Sequence, residues 1–113
     1  MALRICFVTA EMAPLAKTGG LADVSGALLK YLHAAGHDVR LFMPAYASID
    51  RERFELYALE GLQNQRLRLG LQRYQYSVSG SRLPELQSVY LIDCPALYAR
   101  AVEFVRHVAE FKV

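Results

Sequence analysis

The chain has 113 residues, 54% of them apolar and 21% charged, which excludes an intrinsically disordered segment. That length suits one domain of ordinary size and leaves no room for two domains facing across a cleft. Thirteen basic against eleven acidic residues give a formal charge of +2, and no Lys/Arg run marks a nucleic-acid partner.

The opening MALRICFVTAEMAP has too short an apolar core for a signal peptide. Glu11 interrupts it, and the A-x-A cleavage pattern is missing. No stretch approaches the ~20 apolar residues that span a bilayer, so a soluble, cytoplasmic protein with no membrane partner is expected. Next, Leu3 to Thr9 (LRICFVT) is a near-continuous apolar run, expected to be a strand buried on both faces of a parallel sheet. AEMAPLAKTGG follows, with Pro14 and two glycines, and reads as a loop. From Leu21 the period changes: Leu21, Val24, Leu28, Leu32 and Ala35 form one apolar helical stripe. Gly36 is placed to close that helix, and Asp23 suits its positive end. Val39 to Met43 (VRLFM) makes a second strand stopped by Pro44, completing a strand–loop–helix–strand unit.

The middle of the chain alternates with period two. Phe54, Leu56 and Ala58, then Leu67, Leu69 and Leu71, then Tyr74, Tyr76 and Val78 read as antiparallel strands with one wet face. Breaks are expected at Glu60-Gly61, Gln63-Asn64-Gln65 and Gln72-Arg73, with turns over Ser79–Arg82 and at Pro84. Val89 to Ile92 returns to a buried strand, and Ala101, Phe104, Val105, Val108 and Phe111 suit a last amphipathic helix, on which His107 is solvated. The fold class is α/β: part of a Rossmann-like domain with an inserted antiparallel section.

Cys6 and Cys94 each sit in an apolar run and read as free buried thiols, since a disulfide scaffold needs more cysteines. His33 and His37 have the spacing of zinc ligands on a helix, but Gly36 ends the helix between them, so no metal site is expected. Arg66, Arg68 and Arg73 are placed on the wet face, with a glucan or phosphate surface as the alternative. Tyr57, Tyr74, Tyr76 and Tyr90 are read as sheet packing, with sugar stacking as the alternative.

The chemistry concentrates in Pro14–Val24 (PLAKTGGLADV), after the first strand and opening the helix. Open α/β sheets bind ligands outside these strand ends. A helix start offers unpaired N–H groups and about half a positive charge to an anion. Gly19 and Gly20 let a phosphate approach the backbone, and Lys17 adds a mobile cation. The spacing is neither G-x-x-x-x-G-K-[ST] nor G-x-G-x-x-G. On physics alone a phosphate seat and a bare tight turn both remain open.

The stretch AEMAPLAKTGGLADVSGALLKYLHAAGHDVRLFMPAY closely resembles the amino terminus of bacterial glycogen synthases and plant starch synthases, ADP-glucose-dependent retaining glucosyltransferases. K-T-G-G-L-A-D-V is its most specific string, and Val89–Tyr98 (VYLIDCPALY) is similar to the family's Y-L-I-D-x-P-x-L-Y segment. The likeness covers about residues 3 to 100. It implies the amino-terminal half of a two-domain GT-B enzyme, with ADP-glucose and an α-1,4-glucan as partners and neither metal nor organic cofactor. By the same likeness Lys17 lies near the diphosphate and Gly19 and Gly20 present amides to the phosphates. Asp23 lies near the glucosyl hydroxyls or merely complements the helix dipole; Glu11 faces the acceptor or is a solvated carboxylate.

The likeness further implies that residues 1–113 are a partial amino-terminal domain. The second Rossmann-like domain, whose basic residues neutralise the departing ADP, is not within them. Catalysis needs that domain, so no catalytic residue is assigned, and Ala101 to Val113 replaces the family's usual continuation, as in a truncated product. Two other readings compete: a non-catalytic nucleotide-sugar- or glucan-binding module, and an inert truncated product.

Overall fold

The computed structural model describes residues 1–97; the helix expected over Ala101–Phe111, with His107, lies outside them. Strand β1 (Arg4–Val8), helix α1 (Gly20–Ala34) and strand β2 (Asp38–Pro44) form the expected opening unit. Strands β3 (Leu56–Ala58), β4 (Gln65–Leu69), β5 (Gln72–Ser81) and β6 (Val89–Asp93) follow, with a 3-10 turn at Pro84–Leu86. The sheet order is β1-β2-β6-β5-β3, with β4 pairing the other half of β5. β1, β2 and β6 run parallel, with Ile5 beside Val39 and Leu41 beside Val89. β5 turns antiparallel on β6, with Ser77 opposite Asp93.

The core lies on one side of this sheet. Val39, Leu41 and Met43 of β2 and Val89 and Leu91 of β6 are fully buried there with Leu29 of α1, Ile49, Phe54 and Leu86. Each such side chain stabilises the fold by about 1.5–3 kcal/mol through burial. The alternate residues face the other way, where Phe42 and Tyr90 stack with ring centroids 5.2 Å apart. Leu62, Leu67, Tyr74, Tyr76 and Leu97 complete an apolar groove of about 590 Å³ on that side.

The one-sided core corrects the reading of β1 as doubly buried. Ile5 and Phe7 pack against the core, whereas Cys6 and Val8 are exposed, Val8 to 76%. Among the described residues, α1 and its flanking loops cover a single face of the sheet. Of the two thiols, Cys94 is buried as expected and Cys6 is not.

Helix α1 is also turned from its expected phase. Ala22, Ser25 and Leu29 are buried and Leu32 packs on the core, while Leu21, Val24 and Leu28 are exposed. Both stripes have helical spacing, and the smaller side chains won because the loop before the helix lies against it. A Cβ on Gly26 would meet the Ala13 carbonyl oxygen at 3.3 Å. The helix closes as expected: Gly36 at φ +90 donates to the His33 carbonyl, and the His37 amide reaches Leu32 at 3.1 Å.

In the middle, β3 is cut to three residues because Glu55 just before it adopts φ 50. The β4–β5 turn falls at Gly70-Leu71, not Gln72-Arg73, with Gly70 at φ +62. Glycine leading a two-residue turn suits the twist of a hairpin. Ser79 and Ser81, expected in a turn, continue β5 because β3 pairs there, and Leu56 lies opposite Ser81.

Candidate functional site

The carboxyl ends of β1, β2 and β6 share one edge of the sheet, and the ladder runs on past it. The Thr9 amide donates to Phe42 and the Ala45 amide to Ile92. The loop between β1 and α1 rises from this edge, anchored by Met12 and Leu15, which are 2% and 6% exposed. Its backbone is tied twice: the Ala16 amide donates to Met12, and the Ala13 amide to Ala22 in the first turn of α1. Below it, Thr9 Oγ1 lies 3.0 Å from Ser25 Oγ and donates to the Glu11 carbonyl. The apolar anchors and hydroxyl ties fix the loop, leaving Lys17 to Gly20 exposed on its lip.

Gly19 is the N-cap of α1, extended at φ −171, and no side chain caps the helix. The first N–H groups of a helix have no partner within it, so this end presents donors and partial positive charge outward. A Cβ built on Gly19 or Gly20 would meet nothing within 4 Å. Packing inside the chain therefore gives no reason for either glycine, which leaves room for a ligand against the backbone. Beside this space the Lys17 ammonium donates to Asp23 Oδ1 at 3.0 Å and lies 2.9 Å from Oδ2. The Thr18 hydroxyl donates to the Glu11 carboxylate.

All five residues singled out from the sequence thus stand on one loop and helix start: Glu11, Lys17, Gly19, Gly20 and Asp23. Two partners were missed. Thr18 binds Glu11, and Tyr46, in the loop after β2, donates its hydroxyl to the Ala10 carbonyl at 2.8 Å. Burial and the nearby Glu11 charge together raise the Tyr46 pKa above 10.0. Its signal was present, because a tyrosine just past a parallel strand sits at the binding edge. His37 serves the backbone, accepting the Leu3 amide on Nδ1 at 3.0 Å. Among the described residues no three His, Cys, Asp or Glu side chains gather as metal ligands.

The starch synthase catalytic domain family model matches residues 4–111. This chain belongs to that family. It is similar to glycogen synthase of Paramagnetospirillum magneticum, 43% identical over 99 residues, covering 88% of this chain and 19% of that protein. Glycogen synthase 1 of Geobacter sulfurreducens is 44% identical over 100 residues, covering 87% and 20%. Among solved structures, the catalytic domain of starch synthase IV from Arabidopsis thaliana bound to ADP and acarbose matches with TM-score 0.70 and 30% identity. That match covers 83% of this chain and 19% of the plant chain. The chain spans about a fifth of the length of the relatives it matches. The α/β fold expected from the sequence is the one shared with this starch synthase family. No described helix is long and apolar enough to cross a membrane.

Proposed function

We propose that this chain is the donor-side part of a glycogen or starch synthase. The whole protein would transfer glucose from ADP-glucose to the non-reducing end of an α-1,4-glucan with retained configuration. The observation that carries this reading is the uncapped start of α1, where Gly19 and Gly20 leave open space beside a lysine at the carboxyl edge of parallel strands. Amides, helix dipole and ammonium there all favour a diphosphate. In this reading Lys17 binds the diphosphate, Gly19 and Gly20 offer their amides to it, Asp23 stands toward the glucosyl hydroxyls, and Glu11 is on the acceptor side. The plant relative was solved with ADP and acarbose, a nucleotide and a sugar-like ligand, which supports the pairing of donor and glucan.

Transfer requires more than this edge. Closing a second domain over the donor excludes water and sets positive charge against the departing ADP. The 113 residues alone are therefore expected to bind donor and to show no turnover. We place the protein in the cytoplasm; its two free cysteines support a reducing compartment.

Calorimetric titration of ADP-glucose into the protein and its Lys17→Ala variant tests the assignment. Losing one charge-assisted contact weakens binding by about 10- to 100-fold. Equal affinity in the two proteins removes Lys17 from the donor site.

A further inference from the structure

The β4–β5 hairpin has two unlike sides. Directly opposed residues share a side, so Arg68 stands with Arg73 and Arg66 with Gln75, while Leu67 opposes Tyr74 on the other. The second side faces the apolar groove. The first carries three exposed arginines and no acid. Among the described residues none of the three forms an ion pair; Arg68 Nε donates to the Gly70 carbonyl at 3.0 Å. Like charges directly opposite destabilise a ladder, so Arg68 against Arg73 costs the fold unless an anion joins them.

Position adds to this. Ser77 pairs with Asp93, the last residue of β6, so Gln72–Tyr76 and the whole of β4 project beyond the carboxyl ends of the parallel strands. Alternation along β5 puts Arg73 on the side of Ser79 and Ser81, which are buried on the α1 side of the sheet. The arginines therefore stand at the same edge and on the same side as the Lys17 loop. Three strand spacings, about 15 Å, separate β5 from β1, and Lys17 is paired with Asp23 on its own loop, so the two sets of cations stand apart along that edge.

We propose that Arg66, Arg68 and Arg73 form a second, separate site for a phosphoryl group carried by a small phosphoester. Opposed Cβ atoms lie ~5 Å apart and alternate ones ~7 Å along a strand, a spacing that lets three guanidinium groups converge on a single phosphate. Their planar forks match its oxygens. The alternative, a nucleic acid or other polyanion, is disfavoured because Tyr76 lines the groove on the opposite side and Tyr74 alone among aromatic rings lines the arginine face, one platform where successive bases would need several. The site needs nothing from the nucleotide-sugar reading and stands if that reading fails.

The test is a titration of the 113-residue chain with inorganic phosphate at constant ionic strength, following the arginine side-chain N–H resonances by NMR. Saturable shifts are expected at Arg68 and Arg73, in the millimolar range for so open a site. The double variant Arg68→Gln/Arg73→Gln weakens apparent phosphate affinity about tenfold or more, and Lys17→Ala leaves these shifts in place. Arg68→Lys/Arg73→Lys keeps the charge, loses the forks and falls between. If the double variant fails to fold, the shifts in the unaltered chain still decide. The proposal is overturned by equal shifts with chloride, by loss of the shifts in Lys17→Ala, or by steeply salt-dependent heparin binding without saturable phosphate binding.

Discussion

The Lys17 ammonium sits between the two carboxylate oxygens of Asp23, 3.0 Å from one and 2.9 Å from the other. Both side chains are more than half exposed, at 54% and 57%, so the pair is screened and contributes at most about 1 kcal/mol to stability. In the proposed donor site the pair has a functional consequence: a diphosphate would compete with Asp23 for the three N–H groups of the Lys17 ammonium. Asp23→Asn is expected to change unfolding free energy by less than about 1 kcal/mol and to tighten binding of ADP alone. ADP lacks the sugar that Asp23 would hold, so the effects do not cancel. Urea denaturation and calorimetry check the two halves; weaker ADP binding in the variant sinks the competition.

The two glycines at the head of α1 separate packing from ligand binding. A methyl group added at either would have no neighbour within 4 Å, and Gly19 is extended at φ −171, which any residue adopts. Gly19→Ala and Gly20→Ala should each shift stability by no more than about 1 kcal/mol, Gly20→Ala in the favourable direction because alanine is the better helix former. Donor binding should nevertheless fall about tenfold or more, since the methyl occupies the space the phosphate needs. Wild-type affinity in both variants would return the glycines to turn chemistry.

Leu28 and Leu29 are adjacent on α1 and energetically unlike. Leu29 is 5% exposed within the core, whereas Leu28 is 40% exposed. Leu29→Ala should cost about 2–5 kcal/mol and Leu28→Ala under about 1 kcal/mol, measured by chemical denaturation. Equal costs would mean that a further element covers the outer stripe of the helix.

That pair also shows how far the sequence could be read. The strand, loop, helix and strand of the opening unit, the Gly36 closure and the buried β6 were legible because period, glycine and proline signals agreed there. The phase of α1 was not, because Leu21, Val24 and Leu28 offer a larger apolar stripe than Ala22, Ser25 and Leu29. What decided between them was the close approach of the Ala13 carbonyl to Gly26, a contact that no local pattern records. The doubly buried reading of β1 failed similarly: RICFV is apolar enough for two covered faces, but among the described residues one is covered. At the site, Lys17, Gly19, Gly20 and Asp23 were visible as a motif, while the ties of Thr18 to Glu11 and of Tyr46 to Ala10 depend on loop geometry.

Tyr46 gives the site a pH signature. Burial, then the Glu11 charge, raises its pKa above 10.0 in the folded protein. A raised pKa means the folded state holds the phenolic proton more tightly than the unfolded chain does. The associated stability is fully present below the unfolded value of about 10 and is lost as pH rises through the folded value. Folding stability compared between the wild type and Tyr46→Phe should therefore differ by a constant amount at neutral pH. The difference should move against the wild type above pH ~10. Phenolate absorbance, with the Tyr46→Phe curve subtracted to remove the other six of seven tyrosines, reports the same ionisation directly. Glu11→Gln should lower that pKa only part of the way, because desolvation is the larger cause and stays. A Tyr46 pKa no higher than the ordinary tyrosine value would show that its hydroxyl is not buried beside Glu11.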